Sequence, residues 1–127
     1  MEKILQNLTA TLRGIHPQSY YQMNSSKTST YPYLTFDLSL EELERNQEGA
    51  TLEIDIFGNG TSPLSVVQIE EKLKDALKYR RDKTTDLYLV YSFQNSLPIP
   101  TLLPDLHRRN LTFYVKIDER TKQYDIS

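Results

Sequence analysis

A chain of 127 residues, 38% hydrophobic and 25% charged, has the composition of one compact domain with a modest core rather than a disordered polymer. It contains no cysteine, which excludes disulfides, a thiol nucleophile and zinc–thiolate ligation, and no apolar run approaches the roughly 18–20 residues that span a bilayer. A net charge of −2 gives the chain as a whole no bias toward nucleic acid or acidic membranes.

At the N-terminus Ile4, Leu5, Leu8 and Leu12 recur at helical spacing and predict an amphipathic helix over 2–13, stopped by Gly14 with Pro17 soon after. This start alternates polar and apolar residues and lacks a continuous signal-peptide core. The stretch YYQMNSSKTSTYP reads as a mobile loop (24–30), with a short strand at Ser19–Met23. YLTFDL then alternates, with Leu34, Phe36 and Leu38 on one face. The polar SLEELERNQEGA reads as a connection to a strand over Thr51–Phe57, where Leu52, Ile54 and Ile56 point one way and Glu53 and Asp55 the other. Residues 63–79 form the clearest helix, with Val66, Ile69, Leu73, Ala76 and Leu77 along one stripe, Ser62 as N-cap, Pro63 as first helical residue, and Glu70 paired to Lys74 on the solvated side. Two more strands follow, Asp86–Phe93 and Asn110–Ile117, before a frayed tail at 119–127. The fold class expected is α+β: a single domain over 1–127, with a mixed or mainly antiparallel sheet of about four strands and helices packed on one face.

No catalytic, cofactor or metal site is expected. FGNGTSP, between a strand and a helix, has the layout of a phosphate cradle, but it lacks the lysine of a P-loop, and Pro63 stands where a dinucleotide fingerprint has its last glycine. Gly58, Asn59 and Gly60 are sufficiently explained as a turn needing positive φ. His16 and His107 lie at no metal-ligand spacing. Neither SLPIP nor GTSP matches a nucleophile elbow. The carboxylate pairs Glu41–Glu42, Glu70–Glu71 and Glu53/Asp55 read as solvated faces. Of two basic clusters, Lys78–Lys83 reads as a helix C-terminus complementing the macrodipole, with contact to nucleic-acid phosphates as the alternative for it and for His107–Arg109.

Two segments and the tyrosines are left as candidate contact surfaces. Nine tyrosines against no tryptophan fill the rim of a small core or supply interface area. SLPIPTLLPDL places Leu97, Ile99, Leu102 and Leu103 among three prolines, in a connection (95–106) too long for a tight hairpin. So apolar a segment either folds back over the sheet end or docks another subunit. The stretch NSSKTST is the second candidate, a flexible arm that orders on binding.

The order of an N-terminal helix, YPYLTFDL after a loop, ATLEIDIFGN running into the helix SVVQIEEKLKDALK, and a closing RRNLTFYVKIDER resembles the tail-terminator (tail-completion, or head–tail joining) proteins of long-tailed bacteriophages and prophages. The likeness covers nearly the whole chain and departs from the shortest members at 95–106. It implies a non-enzymatic structural protein that forms a ring with its own copies, typically a hexamer. Such a ring caps the tail tube, stops its polymerisation and presents a surface to the head connector. It also implies assembly in the host cytoplasm, a final place in the virion, no cofactor, membrane or small-molecule substrate, and DNA only as a passenger through the ring. On this chain the implied partner contacts are Tyr20, Tyr21, Met23 and Tyr31 in one arm and Leu97, Ile99, Leu102 and Leu103 in the other, serving tube and connector from two ends of the subunit. Glu53 and Asp55 are the implied channel-facing acids. Other neck or minor tail proteins, and a small nucleic-acid-binding regulator, are the alternatives.

Overall fold

In the computed structural model, which describes residues 2–24, 30–45 and 47–119, the chain runs α1 (Glu2–Ile15), β1 (Ser19–Tyr21), β2 (Tyr33–Glu44), β3 (Gln47–Asn59), α2 (Leu64–Leu77), β4 (Arg81–Lys83), β5 (Leu87–Ile99) and β6 (Leu106–Glu119). Most of the expected loop at 24–30 and nearly all of the expected tail lie outside the described residues. The strands form one sheet in the order β1-β2-β3-β6-β5-β4, with β1 parallel to β2 and every other pair antiparallel.

The expectation of about four strands is corrected to six, in a sheet curled into a half-barrel that takes 52% of the described residues. Two physical reasons account for the difference. The short strand expected at Ser19–Met23 forms as Ser19–Tyr21, whereas RDK, at three residues, is too short to show a period. The four long strands also continue well past their apolar cores. SLEELE continues β2 rather than forming a connection, and its pairing runs as far as Glu44↔Gln47. This portion is almost all exposed because the hairpin projects past the core, so no apolar face marks it. Likewise β5 runs on to Ile99 and β6 starts at Leu106, leaving only 100–105 as connection. Pro98 is tolerated in β5 because this part of the strand is an edge. A bulge between Phe93 and Asn95 changes which side chains face the core: Leu89 and Tyr91 point into it, whereas Leu97 and Ile99 stand opposite Asn110 and Arg108 on the other face.

The core follows from the alternation. Leu34, Phe36 and Leu38 of β2, Leu52, Ile54 and Ile56 of β3, Leu87, Leu89 and Tyr91 of β5, and Leu111, Phe113, Val115 and Ile117 of β6 are buried in one cluster with Ile4, Leu8 and Leu12 of α1 and Val66, Ile69, Leu73 and Leu77 of α2. Each such side chain contributes about 1.5–3 kcal/mol relative to exposure. Helix α1 continues through Gly14 to Ile15, so Pro17 rather than the glycine ends it. Below it Ser19 is fully buried and donates to the His16 carbonyl at 2.6 Å. At the start of α2 the Ser62 Oγ accepts the Leu64 N–H at 3.2 Å, and the helix opens one residue after Pro63.

Glu70 is not on a solvated face. It is buried, receives Arg109 Nε of β6 at 2.7 Å and lies 3.5 Å from Lys74 Nζ, so it ties the helix to the sheet. In FGNGTSP only Gly60 has positive φ, at 114°. Gly58 lies within β3 and is needed for closeness, since a Cβ there would meet Val66 Cγ2 of α2 at 2.5 Å.

Candidate interaction surface

The two candidate arms meet at one end of the molecule, not at two. Tyr33 at the start of β2 stands opposite Phe57, Phe57 opposite Arg108, and Arg108 opposite Ile99. The connections that flank this row therefore all emerge at the same end of the sheet: the approach to β2 with Tyr31, the β3–α2 corner, and the β5–β6 loop. Because β5 and β6 are twice as long as their apolar cores, the loop between them is carried back to the start of β2.

The β5–β6 loop is braced. Thr101 Oγ1 donates to the Leu106 carbonyl at 2.6 Å, and the Gly60 N–H donates to the Asp105 carbonyl at 2.9 Å. His107 Nε2 lies 2.9 Å from the Gly60 carbonyl. These bonds hold the loop while Leu102 is fully exposed, Leu103 is 63% exposed and Leu97 is 44% exposed. Two cavities flank it. One of about 410 Å³ lies toward α2, with Pro63, Val66, Pro100, Leu103 and Arg109 in its wall. The other, of about 340 Å³, has Tyr31, Asn59, Leu103 and Leu106 in its wall. Tyr31 and Leu103, from the two arms, thus line one hollow.

Beside it runs an aromatic ladder on the face away from the helices. Tyr20 packs edge-on to Tyr33 at 6.4 Å, Tyr31 lies 5.3 Å from Tyr33, and Tyr33 stacks on Phe57 at 4.9 Å between ring centroids. Arg108 covers Phe57 at 5.3 Å. Burial, with the nearby Tyr31 phenol second and Arg108 opposing, pushes the Tyr33 phenol above its usual range. Aromatic rings and a stacked arginine are the composition of protein–protein hot spots, and the exposed leucines add apolar area beside them.

The other expected residues are divided. Tyr21 packs on Phe36, 5.5 Å between rings, against the core rather than with Tyr20. Met23 is 70% exposed just beyond β1. Ile99 is half-buried in the Arg108 row. Asp55 accepts from Arg108 Nε at 3.2 Å and Asn110 Nδ2 at 3.1 Å, so its charge is matched within the fold. Glu53 is exposed and stands opposite Asp37. Sequence reasoning missed Tyr33 and Phe57, and read Arg108 only as part of the His107–Arg109 basic cluster. Their signal was present as polar-face positions of strands that carry large rings, where charges or threonines are the norm.

The basic clusters are committed in part, with Lys78, Arg81 and Lys83 exposed and in no ion pair among the described residues. Arg109 is held by Glu70, Arg108 by Asp55, and Arg80 by Asp82 at 2.8 Å, which raises the Arg80 pKa. Among the described residues no three His, Cys, Asp or Glu side chains are grouped to hold a metal ion, and no helix is long and apolar enough to cross a membrane.

Fold and surface together define a mainly sheet domain, a six-stranded half-barrel with two helices, that has one apolar, aromatic end. Compared with solved structures, it is similar to a chain from the virion of a native gene transfer agent particle, with a TM-score of 0.65 and 15% identity over 91% of each chain. In all, 26 chains of solved structures match it. At that identity the likeness is one of fold. No family model matches the sequence, and no curated protein matches it either.

Proposed function

We propose that the chain is a structural component of a phage-like virion and, within that class, the tail terminator: a ring of copies that caps the tail tube, stops its growth and joins the tail to the head connector. The fold shared with a gene transfer agent virion chain over 91% of both carries the reading, and the residue patterns of the tail-terminator family agree with it. In this reading the chain makes no bonds. It presents the Leu102–Leu103 loop and the Tyr31–Tyr33–Phe57 ladder to one neighbour in the stack, so tube and connector are met by different ends of the subunit rather than by the two arms separately. The exposed pair Asp37 and Glu53 faces the DNA channel and repels the passing phosphates, with Asp55 withdrawn by Arg108. Commitment of Arg80, Arg108 and Arg109 to internal carboxylates weighs against the nucleic-acid-binding alternative. Deleting the gene from its phage or prophage should leave tails of irregular, excessive length by electron microscopy; tails of normal length joined to heads would overturn the proposal.

A further inference from the structure

Opposite edges of the sheet carry opposite, unpaired charge. On one side β1 covers β2 only from Leu34 to Phe36, so β2 from Asp37 to Glu44 is an outer edge. Its charged side chains are Asp37, Glu41, Glu42 and Glu44, all exposed, with no cation in the strand. On the other side the outermost strand is β4, entered from α2 through Lys78 and Tyr79. Lys78, Arg81 and Lys83 are exposed there, and Asp82, the one acid, is taken by Arg80. None of these three cations and none of the four acids has an ion-pair partner among the described residues. Each edge also sets one large apolar side chain among its charges: Leu43, 41% exposed, and Tyr79, 82% exposed.

The register places these edges level. Glu41 stands opposite Gly49, Gly49 opposite Lys116, Lys116 opposite Val90 and Val90 opposite Arg81. Two rows further on, the path is Glu44, Gln47, Asp118, Tyr88 and Lys83. The row between them runs from Glu42 to Asp82, the acid that Arg80 holds, so on the face away from the helices acid and base lie at the two ends of the same cross-strand rows. Copies related by rotation about an axis along the strands, with no translation, bring Glu41 toward Arg81 and Glu44 toward Lys83. A closed ring requires that absence of rise, since heterologous contacts offset in height generate a filament.

We infer that the β2 edge of one copy docks on the β4 edge of the next, with Glu41 and Glu44 facing Arg81 and Lys83. The inference rests on the reading of the chain as a ring-forming virion part and names the surfaces that close the ring. Charge supplies orientation and register here, and it excludes the two like-edge pairings.

The test uses the full chain in sedimentation velocity from low to high concentration. Glu41→Arg/Glu44→Arg sets two cations against Arg81 and Lys83; Arg81→Glu/Lys83→Glu sets two acids against Glu41 and Glu44. The wild type should self-associate, less so in 1 M salt. Each reversed variant, folded by circular dichroism, should associate about a hundredfold more weakly. An equimolar mixture should recover assemblies that alternate the two. A wild type that stays monomeric up to millimolar concentration, reversed variants that associate like wild type, or a mixture that fails to co-assemble would each overturn the inference. Overlong tails on gene deletion together with a failed charge swap would keep the terminator role and remove only the edge assignment; normal tails with a successful swap would do the reverse.

Discussion

Replacing Glu70 with leucine should destabilise the fold more than any other single charge removal, although sequence periodicity places Glu70 on a solvated helix face. The Glu70 side chain is 8% accessible and that of Arg109 24%, with 2.7 Å between Nε and Oε1. Removing one partner of a fully buried pair costs about 3–5 kcal/mol. Arg109 keeps a quarter of its surface in water and can rehydrate in part, which brings the loss below that range, to about 2 kcal/mol. For 127 residues the unfolding entropy is roughly 0.27 kcal/mol/K, which converts the loss to a fall in Tm of about 7 °C. Thermal unfolding by circular dichroism measures it, and a cycle with Arg109→Leu isolates the pair. The Glu70→Leu/Arg109→Leu double variant should recover much of the loss, because apolar replacements of a buried ion pair are often neutral. A Tm within 2 °C of wild type for Glu70→Leu, or coupling below about 0.5 kcal/mol in the cycle, would refute the assignment of Glu70 as the link between α2 and the sheet.

Leu102→Asp/Leu103→Asp should leave stability within about 0.5 kcal/mol, since both side chains are exposed, yet reproduce the overlong tails expected of the deletion; normal tails would remove the loop from the docking surface. Gly49→Ala should cost about 1–3 kcal/mol by denaturant unfolding, because a Cβ there would collide with the Tyr114 hydroxyl, and adding Tyr114→Ser should relieve it. Burial, with Asp82 nearby and Arg80 opposing, pushes the Tyr91 phenol well above its usual range. The folded state thus holds that proton more tightly than the unfolded chain, so the stability it confers is present below about pH 10 and is lost as pH rises beyond it. Denaturation midpoints above pH 10 should therefore fall more steeply for wild type than for Tyr91→Phe, and parallel curves would contradict this burial.

Where the sequence carried an apolar period, the fold was legible: α1, α2 and the centres of the four long strands all sit over alternating or helical apolar runs that the structure buries. Misreadings share a cause, since period reports burial and not pairing. Residues 41–44 are strand without a buried face, held by cross-strand pairing to β3. The bulge at Phe93/Asn95 moves Leu97 and Ile99 from the core face to the ladder face, and no local pattern announces a one-residue insertion. Pro98 argues against a strand in general, but not on an edge. Of the candidate surface, the exposed leucines of the loop and Tyr31 were legible as apolar residues with nothing local to cover them. Their convergence in one hollow was not, because it depends on how far β5 and β6 extend. Asp55 and Glu70 read as solvent charges because their partners, Arg108 and Arg109, lie 53 and 39 residues away in sequence.

Charge in this chain is sorted in a way the monomer does not require. Near the loop end Arg108 and Arg109 are matched to Asp55 and Glu70, and those pairs hold the sheet and α2 in place. At the opposite end Asp37, Glu41, Glu42 and Glu44 crowd one edge while Lys78, Arg81 and Lys83 crowd the other. Like charges along one strand repel, and an exposed pair formed inside the monomer would contribute at most about 1 kcal/mol. Acidic and basic edges do blunt strand-to-strand aggregation, but charge of either sign on both edges would do that equally well. Opposite signs at matched heights are specific to an arrangement in which one edge meets the other edge of a second copy. The apolar loop end is then free to meet something else, so lateral and axial contacts can be broken separately. Edge reversal should change assembly size without touching the loop, and loop substitution should abolish capping in rings that still form.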